Sequence, residues 1–122
     1  MPGGLATTRH RTSQQWDRPN GWAPLQYLAV EGLERYGEGK LAREIARRWI
    51  GVNVRSYAQA GVLREKYDIE SAASTQAGGG EYAVQDGFGW TNGVLARLMT
   101  EYPVKDPRPA ATQHDRQSQV RP

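Results

Sequence analysis

The 122-residue sequence predicts an all-α fold with about three main helices, functional loops between them and a disordered C-terminal tail. Apolar residues recur at i, i+3, i+4 spacing in three separate segments, the period of a helix with one buried face. Glycines and prolines stand at the ends of those segments, where helices start and stop. Strand signals are weak throughout.

Residues 1–14 are small and polar, with Thr7, Thr8, Thr12 and Ser13, and read as extended or loop structure. Residues 14–24 are punctuated by Pro19, Asn20, Gly21 and Pro24 and read as a turn leading into a helix. Pro24 suits a first helical turn, where its missing N–H costs little. Trp16 and Trp22, so close together in a turn, can form a stacking wall for a sugar or simply cover a helix end.

The first helix is expected from about Ala23 to Tyr36, with Leu25, Leu28, Ala29, Gly32, Leu33 and Tyr36 as its stripe and Gly37 and Gly39 ending it. The second is expected over Lys40 to Ala60. Leu41, Ala42, Ile45, Ala46, Trp49, Ile50 and Tyr57 form its stripe, and Arg43, Glu44, Arg47 and Arg48 form a solvated face. Gly51 softens this helix without ending it. Residues 62–68 are short and extended, and residues 69–80 form a loop. The third helix is expected from near Gly87–Thr91 to Glu101, with Val94, Leu95, Leu98 and Met99 buried and Pro103 stopping it. Residues 103–122 are rich in proline and glutamine and read as a disordered tail. Three such helices can form a small bundle or one arc of a larger solenoid or toroid.

Composition narrows the function. The length fits one domain at most. There is no cysteine, and His10 and His114 lie near opposite ends, so neither thiolate nor histidine metal sites are expected. No apolar run approaches membrane-spanning length. The Met-Pro-Gly-Gly start has neither the basic nor the apolar region of a signal peptide. The net charge is +3, but residues 103–122 alone carry +2, which leaves +1 on a body whose arginines alternate with acids. A nucleic-acid-binding face clusters its charge, so none is expected.

The chemistry-bearing stretch is Glu65 to Gly93. Glu65 and Glu81 flank a loop ending in Gly78-Gly79-Gly80, and aromatic and amide side chains follow between further glycines. Glycine lets backbone pass close to a ligand, and carboxylates transfer protons and accept bonds from sugar hydroxyls. These are the ingredients of a pocket for a small polyhydroxylated substrate. The same residues could also be a glycine-rich surface loop with two solvated acids.

Gln15-Trp16-Asp17-Arg18-Pro19-Asn20-Gly21-Trp22-Ala23-Pro24 resembles a signature motif of the α,α-trehalases. Glu65-Lys66-Tyr67-Asp68, Gly78-Gly79-Gly80-Glu81-Tyr82 and Gln85-Asp86-Gly87-Phe88-Gly89-Trp90-Thr91-Asn92-Gly93 are similar to further stretches of that family, in the same order. The resemblance covers roughly residues 3–102. It implies a partial (α/α)6 toroid, with residues 1–102 as the C-terminal part of a trehalase catalytic domain. It also implies inverting hydrolysis of α,α-trehalose to two glucose molecules, without a cofactor.

By motif matching, Glu65 falls on the general base and Glu81 on a sugar-binding carboxylate. Trp16, Trp22, Phe88 and Trp90 could wall the pocket, while Asp17, Asn20, Gln85 and Asn92 could bond sugar hydroxyls or tie the loops together. The family's general-acid aspartate belongs to a motif expected upstream and absent here. The chain alone is therefore expected to be inactive and to need the missing N-terminal part as a partner. The alternatives are a sugar-binding or complementation module and a non-functional remnant. Periplasm and cytoplasm are both open. Thr12-Ser13, Arg64 and a slightly long Ile69–Ala77 loop depart from the usual family pattern.

Overall fold

The computed structural model describes residues 1–71, 77–78 and 82–103. Its elements run β1 (Asn20–Trp22), α1 (Ala23–Arg35), α2 (Gly39–Ala60), β2 (Lys66–Asp68) and α3 (Gly89–Glu101). All three expected helices are present, each with an end within one or two residues of expectation. Gly51 lies inside α2, as expected. From residue 104 onward the expected tail lies outside the described residues.

Local chemistry sets the helix ends. Pro24 occupies the first turn of α1, where no intrahelical donor is lost. Gly61 closes α2 in the left-handed conformation, φ 72°, and its N–H returns to the Tyr57 carbonyl at 2.8 Å. Tyr102 ends α3, its N–H bonded to the Leu98 carbonyl at 2.8 Å, and Pro103 follows. The short turn through Gly37 folds α1 back on α2, and α3 packs against both.

The core lies along one side of α2. Ala42, Ile45, Ala46, Trp49, Ile50 and Val52 are buried there, joined by Ala23 and Val30 of α1, Leu95 and Leu98 of α3, and Tyr67, Ile69 and Tyr102. Arg43, Glu44, Arg47 and Arg48 face solvent, as the sequence indicated.

The stripe expected for α1 differs in the structure. α1 buries Ala23, Gln26 and Val30, whereas Leu28 is 65 % and Tyr36 88 % exposed. The N-terminal segment imposes this rotation. Gln26 is buried because its amide accepts from the Leu5 N–H at 2.8 Å and donates to the Leu5 carbonyl at 2.6 Å, a pairing invisible to helical periodicity. Ala29, Gly32 and Leu33 instead line an open apolar groove of about 510 Å³ with Met1, Leu5, Leu41 and Ile45. Leu41 and Tyr57 of α2 and Met99 of α3 are likewise exposed rather than buried.

The extended stretch expected over residues 62–68 contains β2, whereas β1 and its pairing with β2 were not signalled by the sequence. β1 and β2 form an antiparallel ladder pairing Asn20 with Asp68, Gly21 with Tyr67 and Trp22 with Lys66. The Ile69 N–H extends it to the Pro19 carbonyl at 3.0 Å, and the Gly3 N–H donates to the Ile69 carbonyl at 2.8 Å. Gly21 is required at the crossing. A Cβ there would collide with Ile69 Cγ2 and lie 3.3 Å from Trp49 Cζ3. An isolated bridge between Arg64 and Asp86 ties the segment before β2 to the segment before α3. No helix among the described residues is long and apolar enough to cross a membrane.

One tertiary clamp yields a pH-dependent prediction. Tyr102 is buried and donates its hydroxyl to Glu34 Oε1 at 2.7 Å, with the Arg43 guanidinium 5.7 Å over its ring. Burial, reinforced by Glu34, pushes the hydroxyl from 10.0 up to about 12. The folded state thus holds the proton more tightly than the unfolded one. The contribution is complete below pH 10.0 and is lost as pH rises toward about 12. Tyr102→Phe is expected to lower stability by about 1 kcal/mol at neutral pH and to flatten this alkaline loss. Urea unfolding at neutral and alkaline pH checks both.

Candidate active site

The ladder carries the site. β1 brings the tryptophan-rich turn against β2, and Glu65 immediately precedes β2. The Glu65 N–H donates to the Gln85 carbonyl at 2.8 Å, and the Gly87 N–H donates to the Leu63 carbonyl at 2.6 Å. Thr91, in the first turn of α3, donates its hydroxyl to the Arg64 carbonyl at 2.9 Å. Glu65 is therefore gripped through backbone on both sides.

Its side chain is 1 % exposed. Oε1 accepts the Tyr82 hydroxyl at 2.9 Å. Oε2 is buried and has no hydrogen-bond partner among the described residues. A buried carboxylate oxygen left unpaired is costly, and a catalytic role is one of the reasons for which such an atom is kept. Arg64, next in sequence, does not compete for this carboxylate; its guanidinium pairs with Asp86 at 3.2 Å.

Lys66 is fully buried. Its Nζ lies 5.4 Å over the Trp22 ring and 6.0 Å over the Tyr82 ring, positions that favour a cation. Burial pushes its ammonium below the usual lysine range, and the Glu65 carboxylate opposes that shift.

The aromatic wall is continuous. Trp16 stacks on Trp22 at 4.0 Å with planes 12° apart, Trp90 meets Trp22 edge-on at 5.8 Å, and Phe88 contacts Trp90 at 4.9 Å. Trp22 is buried, its indole N–H donating to the Gln15 carbonyl at 3.1 Å. Trp16 and Trp90 remain partly exposed at the rim, so one ring is structural and its two neighbours offer surface.

The polar candidates divide by geometry. Asp17 is buried. Its Oδ1 accepts from the Thr8 hydroxyl at 3.0 Å, and its Oδ2 accepts from the Thr12 N–H at 3.1 Å and from the Thr12 hydroxyl. The Thr12 hydroxyl, against the opposing effect of burial, holds this carboxyl below the usual range. Asn20 donates to the Gln15 carbonyl at 3.1 Å and to the Gly78 carbonyl at 2.6 Å, and accepts from the Gly78 N–H at 3.3 Å. Both side chains organise loops. Gln85 is exposed, and its backbone supports Glu65. Glu81, with Gly79 and Gly80, lies outside the described residues.

Two contributors escape sequence reasoning, Tyr82 as the partner of Glu65 and Lys66 as a buried cation. Their only signal is position, within the same short motifs as Glu65 and the glycines. The described residues contain no group of three or more His, Asp or Glu able to hold a metal ion.

The chain resembles known proteins over nearly all its length. The family model for trehalase matches residues 1–103. The periplasmic trehalase of Xanthomonas axonopodis pv. citri is 53 % identical over 119 residues, covering 98 % of this chain and 21 % of that protein. The periplasmic trehalase of Xanthomonas oryzae pv. oryzae is 52 % identical over the same shares. The solved structure of the neutral trehalase of Saccharomyces cerevisiae matches with a TM-score of 0.67 and 33 % identity, over 86 % of this chain and 18 % of that one. The chain thus spans about one fifth of the length of the curated relatives it matches. Motif order, helical arrangement and near-complete coverage agree, and the chain belongs to the trehalase family.

Proposed function

We propose that this chain supplies the base-bearing part of an α,α-trehalase. The supporting observation is the state of Glu65: buried, one oxygen held by Tyr82, the other unpaired. In this reading Oε2 takes a proton from a water molecule. That water oxygen bonds to the anomeric carbon from the face opposite the leaving sugar, the glycosidic C–O bond breaks, and an acid protonates the departing oxygen. Attack from the far face inverts the centre and yields one β- and one α-glucose.

The acid is assigned to an aspartate of a family motif that this sequence does not contain. An inverting pair stands about 6.5–9.5 Å apart, so the rest of the catalytic domain must close over Glu65. That remainder could belong to the same polypeptide or to a second chain. The open apolar groove between α1 and α2 and the exposed Leu28 and Tyr36 support such packing. Residues 1–102 act in this reading as the C-terminal part of the catalytic domain. The exposed faces of Trp16 and Trp90 stack on sugar, Gln85 and Glu81 bond hydroxyls, and Asp17 and Asn20 hold the loops that present them. The periplasm, where two relatives are named, is the proposed compartment.

The test is glucose release from trehalose. This chain alone should give none. Grafted into the Xanthomonas axonopodis trehalase in place of the matching segment, it should sustain turnover. A folded graft without turnover, or turnover by the chain alone, would overturn the assignment.

A further inference from the structure

We propose that Tyr82 is the positioning residue of Glu65, deciding which carboxylate oxygen receives the proton; this rests on the reading of Glu65 as general base. A glutamate carboxylate turns about a broad, two-fold torsion, so its two oxygens are interchangeable unless a donor distinguishes them. Tyr82 does so. Its hydroxyl donates to Oε1 at 2.9 Å, while Oε2 stays buried and unbonded among the described residues. The proton-accepting lone pairs therefore belong to Oε2.

Tyr82 is itself located from two directions. Downstream, the Gln85 carbonyl accepts from the Glu65 N–H at 2.8 Å, and Arg64 and Asp86 form a bridge. Above the ring, Lys66 Nζ stands 6.0 Å from its centre. Tyr82 thus brings a hydroxyl onto a buried acid 17 positions earlier in the sequence. Tyr82 keeps 44 % exposure, so it reaches Glu65 from the open side of the site, where substrate would arrive.

A small misplacement of a catalytic group can cost about 10²-fold in rate. In the grafted trehalase, Tyr82→Phe keeps the ring and the Lys66 contact and removes only the hydroxyl. The expected result is kcat lower by about 10- to 100-fold, with KM and melting temperature unchanged. Glu65→Gln in the same background separates the two layers. If Glu65→Gln retains turnover, the base assignment fails and the positioning role with it. If Glu65→Gln is inactive and Tyr82→Phe keeps full kcat, or loses only in KM, the positioning role alone fails. A second measurement needs no turnover and decides the case if Tyr82→Phe also lowers stability. In this chain labelled with 13C at the tyrosine ζ carbons, the Tyr82 signal is identified by its loss in Tyr82→Phe. Glu65→Gln should move that signal, and an unmoved signal would overturn the contact.

Discussion

Trehalose turnover in the grafted enzyme falls about 10²–10⁴-fold when Glu65 is replaced by glutamine, the usual loss on removing a general base. Glutamine has nearly the same shape, and its amide oxygen can still accept the Tyr82 hydroxyl. What it cannot do is take a proton from water. The defect should therefore lie in kcat, with KM little changed, because the proposed sugar contacts belong to other residues. Stability should hold or rise, since an amide replaces a carboxylate that is 1 % exposed with one oxygen unpaired. Glucose-release kinetics and thermal melting together make the check. Unchanged kcat would remove Glu65 from the reaction. A large fall in melting temperature would make Glu65 structural instead.

Trp49→Ala is expected to cost about 3–5 kcal/mol, the range for truncating a fully buried large aromatic side chain. Trp49 is fully buried near the middle of α2 and meets Tyr67 edge-on at 5.5 Å. It also lies under the ladder, against the space that Gly21 leaves open. Domains are stable by only about 5–15 kcal/mol in total, so this one truncation brings the chain to the edge of unfolding. Because Tyr67 follows Glu65 by two residues, the loss reaches the site as well as the core. Urea unfolding of the chain, with Trp49→Phe as the milder comparison, measures it. A shift below about 1 kcal/mol, the size of an ordinary surface-to-core average, would show that the core does not centre on Trp49.

The helices were legible because their period is local. Ala42, Ile45, Ala46, Trp49 and Ile50 form a buried stripe whose spacing alone marks it. Residues 62–68 were legible as extended, but β1 and the strand pairing were not, because each strand spans three residues and takes its stability from a distant partner. Pro19, Asn20 and Gly21 have turn chemistry, and only the approach of Tyr67 and Ile69 makes that stretch a strand. The buried face of α1 departs from its apolar stripe for a similar reason. Gln26 is buried by the N-terminal segment, while Leu28 is apolar yet faces outward. Glu65 was singled out by its motif alone, and its burial and unpaired oxygen came from the structure. Asn20 was ambiguous between sugar and loop, and its side-chain amide proves to be engaged with Gln15 and Gly78. Tyr82 read as one more aromatic in a glycine-rich run, since nothing local indicates that its hydroxyl meets residue 65.

The antiparallel ladder also governs where the chain tolerates changes of length. Side chains alternate along a strand, so one added residue between Leu63 and Ile69 would turn Tyr67 away from Trp49 and send a neighbouring charge into the core. The same residue added at the exposed Gly37 turn disturbs local turn bonds but no strand pairing. Changes of length are therefore expected to be tolerated at that turn and not within the ribbon. Spacing from the tryptophan pair to Glu65 can drift in sequence count while staying constant in space.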